Sequence, residues 1–179
     1  MANSVLIEAR VVAQNVDAYN KSAKADVNVA GGNLVALTPS GKQGDDVFTA
    51  KAPTTTNDEV WMAYNPSGKY IEDANGNKYA HLSADPRAYT NIAGEVFAVY
   101  KPQVGDEIVV TSDDVDDATA TAGQFYTQGA GLTLFKATEK PAKGLAYKIA
   151  DVDVLPFPPV KGQIGMTQQK AFHLICVQA

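Results

Sequence analysis

The sequence has a single cysteine, Cys176, so no intramolecular disulfide can form and the small disulfide-stapled class is excluded. It has only two histidines, His81 and His173, a thin basis for a metal or acid–base centre. No apolar run approaches the ~20 residues that span a bilayer as a helix, so no membrane partner is expected. Lysine and arginine nowhere cluster, and the net charge is -5, which argues against nucleic acid as a partner. The first ten residues show no basic stretch followed by an apolar one, so no signal peptide is read there and synthesis in a cytoplasm is expected. A P-loop, GxGxxG after a strand, GxSxG, HExxH and CxxC are all missing, which lowers the expectation of catalysis without excluding it.

What is present is strand. Apolar residues make up 45% of the 179, enough for a real core. Short runs rich in Val, Ile, Tyr, Phe and Thr are separated by Gly, Pro, Asn and Asp. They cover residues 4–12, 33–38, 47–50, 59–64, 94–100, 107–111, 124–127, 132–137, 146–154 and 171–178. This spacing predicts a mainly β chain, a compact barrel or sandwich with short helical turns, folded as one domain over 1–179. Residues 112–122 can hold one or two helical turns, with Ser112 or Asp113 as N-cap, and 163–170 is a weaker helical candidate. Residues 13–28 are polar and poor in large apolar side chains, so they read as a loop, and 1–28 as an extended N-terminal arm. Three prolines in 155–162 (LPFPPVKG) predict a stiff extended segment, a sheet edge or a contact surface.

Four constellations invite chemistry. Asp73, Asn75 and Asn77 resemble a calcium loop, but glycine sits fourth and Ala84 stands where a closing carboxylate belongs. A hairpin turning at Asn75-Gly76 is the preferred reading. Asp113, Asp114, Asp116 and Asp117 form an acidic cluster that reads as a solvated helix start or loop rather than a cation site. His173 and Cys176 lie three apart in a predicted strand, on opposite faces, so they form no dyad and Cys176 reads as a small buried apolar residue. Trp61, in EVWMAY, reads as a core or sub-interface ring and is predicted to be buried. No catalytic residue, cofactor or metal site is assigned.

Several phrases carry a resemblance. Asn33-Leu34-Val35-Ala36-Leu37 opens it, followed by Asp46-Val47-Phe48 with Ala52-Pro53, and then Asp58-Glu59-Val60-Trp61-Met62-Ala63-Tyr64-Asn65-Pro66. The closest phrase runs Asp85-Pro86-Arg87-Ala88-Tyr89-Thr90-Asn91-Ile92-Ala93-Gly94, then Lys101-Pro102-Gln103-Val104-Gly105-Asp106-Glu107. Together they resemble a family of capsid decoration (auxiliary, head-stabilising) proteins of tailed phages of Gram-positive hosts. The resemblance implies a non-enzymatic virion protein on the outer capsid surface. Its implied partners are the major capsid protein and neighbouring copies of itself, with a trimer favoured. Two alternatives stand beside it: a carbohydrate- or host-binding β module of a phage tail or fibre, and a small β-barrel enzyme.

Overall fold

The structure, a computed structural model, describes residues 3–40, 46–66, 70–72, 78–80, 85–159 and 165–179. Its strands are β1 (Leu6–Arg10), β2 (Asn20–Ala25), β3 (Leu34–Pro39), β4 (Val47–Lys51), β5 (Val60–Ala63), β6 (Tyr70–Glu72) and β7 (Lys78–Ala80). They continue with β8 (Val96–Tyr100), β9 (Glu107–Thr111), β10 (Phe125–Thr127), β11 (Phe135–Ala137), β12 (Ala146–Phe157) and β13 (Thr167–Gln178). Helical backbone among the described residues is confined to 3-10 turns at Val12–Asn15, Asp17–Tyr19, Pro86–Ala88 and Ser112–Asp114. The chain is mainly β, as the turn spacing predicts.

Two layers carry the fold. One is an antiparallel sheet in the order β1-β9-β13-β12-β10-β11. The other is a closed barrel in the order β2-β4-β3-β5-β8, in which only the β2–β4 pair is parallel. β6 and β7 pair as an antiparallel hairpin, as expected from the flanks of Asn75-Gly76; the turn itself, with Asp73 to Asn77, and His81 lie outside the described residues.

The layers share a wall, and period-2 alternation explains how. On β5, Val60 and Met62 join the core under the sheet, while Trp61 and Ala63 join the barrel's own core. Leu34 and Val35 on β3 divide the same way, as do Tyr100 against Phe97 and Val99 on β8. That is why all four residues of β5 are buried. From the sheet side, Leu6, Ile108, Val110, Tyr147, Ile149, Phe172 and Leu174 complete the shared core.

Three expectations give way here. Residues 1–28 are no free arm in their described part: β1 pairs with β9, and β2 closes the barrel between β4 and β8. β2 escapes sequence reading because its sequence, NKSAKA, lacks β-branched residues; its inward positions Ala23 and Ala25 are small because the barrel is narrow. Residues 167–170 are strand, not helix, since they pair with Val154 to Phe157 of β12. At 112–122 one 3-10 turn forms, within the one or two expected, but its N-cap is Thr111 rather than Ser112 or Asp113.

A polar seam joins barrel and sheet. Ser4 Oγ donates to the Gly31 carbonyl at 2.8 Å, and Asn33 Nδ2 donates to Asp114 Oδ1 at 2.8 Å. Gly32 has φ +89, and a Cβ there would stand 2.6 Å from Asp114 Oδ2, so the close approach demands glycine. Asp114 is therefore not the solvated acid its cluster implies. It is fully buried, Oδ2 has no hydrogen-bond partner, and burial pushes its carboxyl well above its ordinary value. A raised folded value means the protonated form stabilises the fold below the ordinary carboxylate range. That stabilisation is lost as pH rises through the raised value. Asp114→Asn, isosteric and uncharged, is expected to melt at or above the wild-type temperature near pH ~7 and to flatten the decline from pH ~5. Melting curves at both pH values check this; a clear drop in melting temperature at the higher pH would show that the carboxylate itself is needed.

Candidate interaction surface

β12 and β13 are each 12 residues long, but their other neighbours are short. β10 pairs with β12 only from Ala146 to Lys148, and the contact ends where Ile149 N donates to the Gln124 carbonyl at 2.9 Å. β9 pairs with β13 only from Ala171 to Ile175. Beyond these limits the two strands run on as a two-stranded ribbon, through Pro156 and Phe157 on one side and Thr167 to Lys170 on the other. The proline-bearing segment is thus extended and at an edge in its described part; residues 160–162 lie outside it. A lone two-stranded ribbon is marginal in water, so something must hold this one.

Arg87 holds it. Asp85 caps the Pro86–Ala88 turn by accepting from Arg87 N at 3.0 Å, with proline at the first helical position. The same carboxylate then receives the guanidinium in a fork, Nε to Oδ1 at 2.9 Å and Nη2 to Oδ2 at 2.7 Å. The remaining guanidinium donors reach the ribbon: Nη2 donates to Thr167 Oγ1 at 2.6 Å and Nη1 to Gln169 Oε1 at 3.2 Å. The guanidinium also stacks 4.5 Å from the centre of the Phe157 ring. Both side chains of the pair are nearly excluded from solvent, at 7% and 9%. Burial alone would raise the Asp85 carboxyl, but the hydrogen bonds and charge of Arg87 outweigh it and hold it below its ordinary value. Gln169 passes the tie on, donating to Asp113 Oδ2 at 2.7 Å. Elsewhere on the ribbon, Lys170 Nζ donates to the Ala118 carbonyl and lies 5.0 Å over the Phe172 ring. Val154 and Met166 remain exposed, at 51% and 65%, as apolar contact points.

The residues singled out for chemistry do not converge. His173 and Cys176 lie on opposite faces of β13: His173 is half-buried with Nε2 3.7 Å from Glu107 Oε2, and Cys176 is buried. Burial pushes the Cys176 thiol up to about 12, so at neutral pH it is protonated and not a nucleophile. Asp116 accepts from Lys136 N at 2.7 Å and Asp117 pairs with Lys136 Nζ at 2.9 Å, so these acids are engaged in tying β11 down. Among the described residues, no three His, Cys, Asp or Glu side chains are placed to hold a metal ion. Trp61 is 5% exposed, the buried ring expected of it. A shallow hollow of about 490 Å³ on the barrel wall is lined by Asn20, Lys21, Ser22, Asp46, Phe48 and Ala98. Lys21 Nζ sits 4.0 Å over the Phe48 ring there, covering the aromatic face that a sugar would need.

Asp85-Pro86-Arg87 is visible in the sequence as a phrase, but the clamp it forms is not. Only the cap has a local signal, an Asp before Pro and two residues ahead of an Arg; the reach of Arg87 to the ribbon has none. Compared with protein-family models, curated proteins and solved structures, the chain matches none.

Proposed function

We propose that this chain is a non-enzymatic structural protein that binds the outer surface of an assembled tailed-phage capsid in many copies and stabilises it. The supporting observation is that Asp85-Pro86-Arg87, the phrase at the centre of the resemblance, is also the element that clamps the projecting ribbon. A stiff, pre-formed projection loses little conformational entropy on docking, which suits a protein whose task is to bridge subunits. The stabilisation works by linkage: a ligand that binds the shell and not its dissociated subunits shifts the equilibrium toward the shell. Copies that touch one another, as a trimer at three-fold positions would, gain from multivalency. The partners are the major capsid protein and other copies of this chain.

The test is to add the purified protein to undecorated capsids and image them. Regular extra density on the outer surface, with a raised capsid melting temperature, is the expected result. Failure to bind, or density only at the tail, would transfer the proposal to a tail or fibre binding module.

A further inference from the structure

The outward edge of β12 past Ile149 has an unusual property: none of its N–H groups is free. Among the described residues, Ile149 is the last of β12 whose outward groups are met by a neighbouring segment. Its N–H donates to the Gln124 carbonyl and its carbonyl accepts from Gly123 N at 2.8 Å. A bulge between Ile149 and Asp151 then resets the phase, and Val152, Val154 and Pro156 stand opposite Phe172, Lys170 and Gln168. In an antiparallel ladder the N–H and C=O of one residue point the same way, and alternate residues face the same side. Val152 N donates to Asp151 Oδ1 at 2.8 Å, and Val154 N donates to Asp153 Oδ1 at 2.7 Å. The third residue in phase is Pro156, which has no N–H. Three successive outward positions are thus closed, two by carboxylates and one by proline, while the backbone between them remains regular strand.

We infer that the free edge of β12 is sealed against strand addition, and that Asp151, Asp153 and Pro156 together keep the ribbon from pairing edge to edge with a second copy of this chain. A strand added to an antiparallel edge must exchange donors and acceptors in alternation. Here it would meet carbonyls only, forfeiting about half of its bonds. It would also have to displace two charge-assisted bonds, which are stronger than neutral ones. A second copy offering the same edge would bring its own two carboxylates against these. Charge and proline on an exposed edge are known protections against edge pairing. The ribbon needs one: with no strand among the described residues covering this edge, it is an open template carrying exposed Val154 and Met166. The inference does not depend on the proposed capsid role, because it concerns the free protein.

The test opens the edge. In Asp151→Thr/Asp153→Thr/Pro156→Thr, the outward N–H groups are restored with side chains that favour strand and add little apolar surface. A charge-matched control, Asp17→Thr/Glu139→Thr, removes two carboxylates elsewhere. Sedimentation velocity over a concentration series should show the edge variant's weight-average mass rising toward twice the wild-type value. Hydrogen exchange at Val152 and Val154 should slow in step, while the control tracks wild type. A mass that follows wild type throughout, or association without slowed exchange at those two amides, would overturn the inference. If the triple variant does not fold, the wild-type protein still decides. In NMR spectra, the amide protons of Val152 and Val154 should show through-hydrogen-bond couplings to the side-chain carboxyls of Asp151 and Asp153. Amide signals with no coupling to those carboxyls would overturn it as well.

Discussion

Arg87→Met should destabilise the protein by about 3–5 kcal/mol, the range for removing one partner of a buried ion pair. Methionine keeps an unbranched stem against the Phe157 ring, so packing is largely preserved and the loss is one of charge and hydrogen bonds. Four acceptor atoms lose a guanidinium donor at once, namely both oxygens of Asp85, Thr167 Oγ1 and Gln169 Oε1, while Asp85 Oδ1 keeps the backbone N–H of residue 87. The Asp85 carboxylate suffers most, because it stays nearly buried with no opposite charge beside it. Denaturant unfolding measures the global loss. Hydrogen exchange should localise it, with amides of residues 151–157 and 167–170 exchanging faster while those of β9 stay protected. Asp85→Asn added to Arg87→Met removes the stranded charge and should recover part of the loss. The pH dependence has a definite sign. A lowered folded value means the clamp's contribution is present above the ordinary carboxylate range and lost as pH falls through the lowered value. Asp114 acts in the opposite window, from the ordinary range upward, so the two variants are separable by pH alone. Wild-type stability and unchanged exchange in Arg87→Met would mean that the ribbon stands without its clamp.

How much of this was legible in the sequence depends on what each residue had to do. Strands that bury one face against a roomy core announce themselves. β9 (EIVVT) lies where its β-branched run predicts, and β8, β10 and β13 differ from their expected bounds only at the ends. β5 was legible as a strand but not as a shared wall, because a fully apolar run does not say which residue faces which core. β2 was illegible for a steric reason: a narrow barrel that must house Trp61 and Phe97 leaves room only for alanine at Ala23, Ala25 and Ala50, and alanine gives no strand signal. The candidate surface was half legible. Prolines marked the ribbon's end as stiff and extended. Nothing local marked that Arg87 would reach a segment 80 residues away, since tertiary ion pairs leave no periodicity. Asp114 shows the reverse failure: its neighbours made it look solvated, and only the approach of Gly32 and Asn33 reveals a buried seam.

The barrel's narrowness also sets the size of the other large effect. Trp61→Ala is expected to cost about 3–5 kcal/mol, or roughly 6–20 °C in melting temperature for a chain of this length. Trp61 is the bulkiest side chain in the barrel core, packed among Ala23, Ala25, Val29, Val35, Ala50, Ala63, Phe97 and Val99. Its ring also lies 5.0 Å from the Lys21 ammonium. Truncation therefore removes apolar burial and leaves a hole that the surrounding alanines are too short to fill. The strands around it are held in a closed hydrogen-bonded ring, so the wall cannot collapse inward without breaking its ladders. The cost should accordingly fall at the upper end of the range rather than the lower. Trp61→Phe, which keeps a ring, should cost less than half as much. Because Trp61 and Met62 face different cores, Trp61→Ala and Met62→Ala test the two cores separately, although adjacent residues can couple. Urea unfolding followed by circular dichroism reads both effects. A Trp61→Ala protein with the wild-type midpoint would mean that the ring does not fill the barrel, and would turn attention to the Lys21–Phe48 hollow beside it as the place where that side chain has its use.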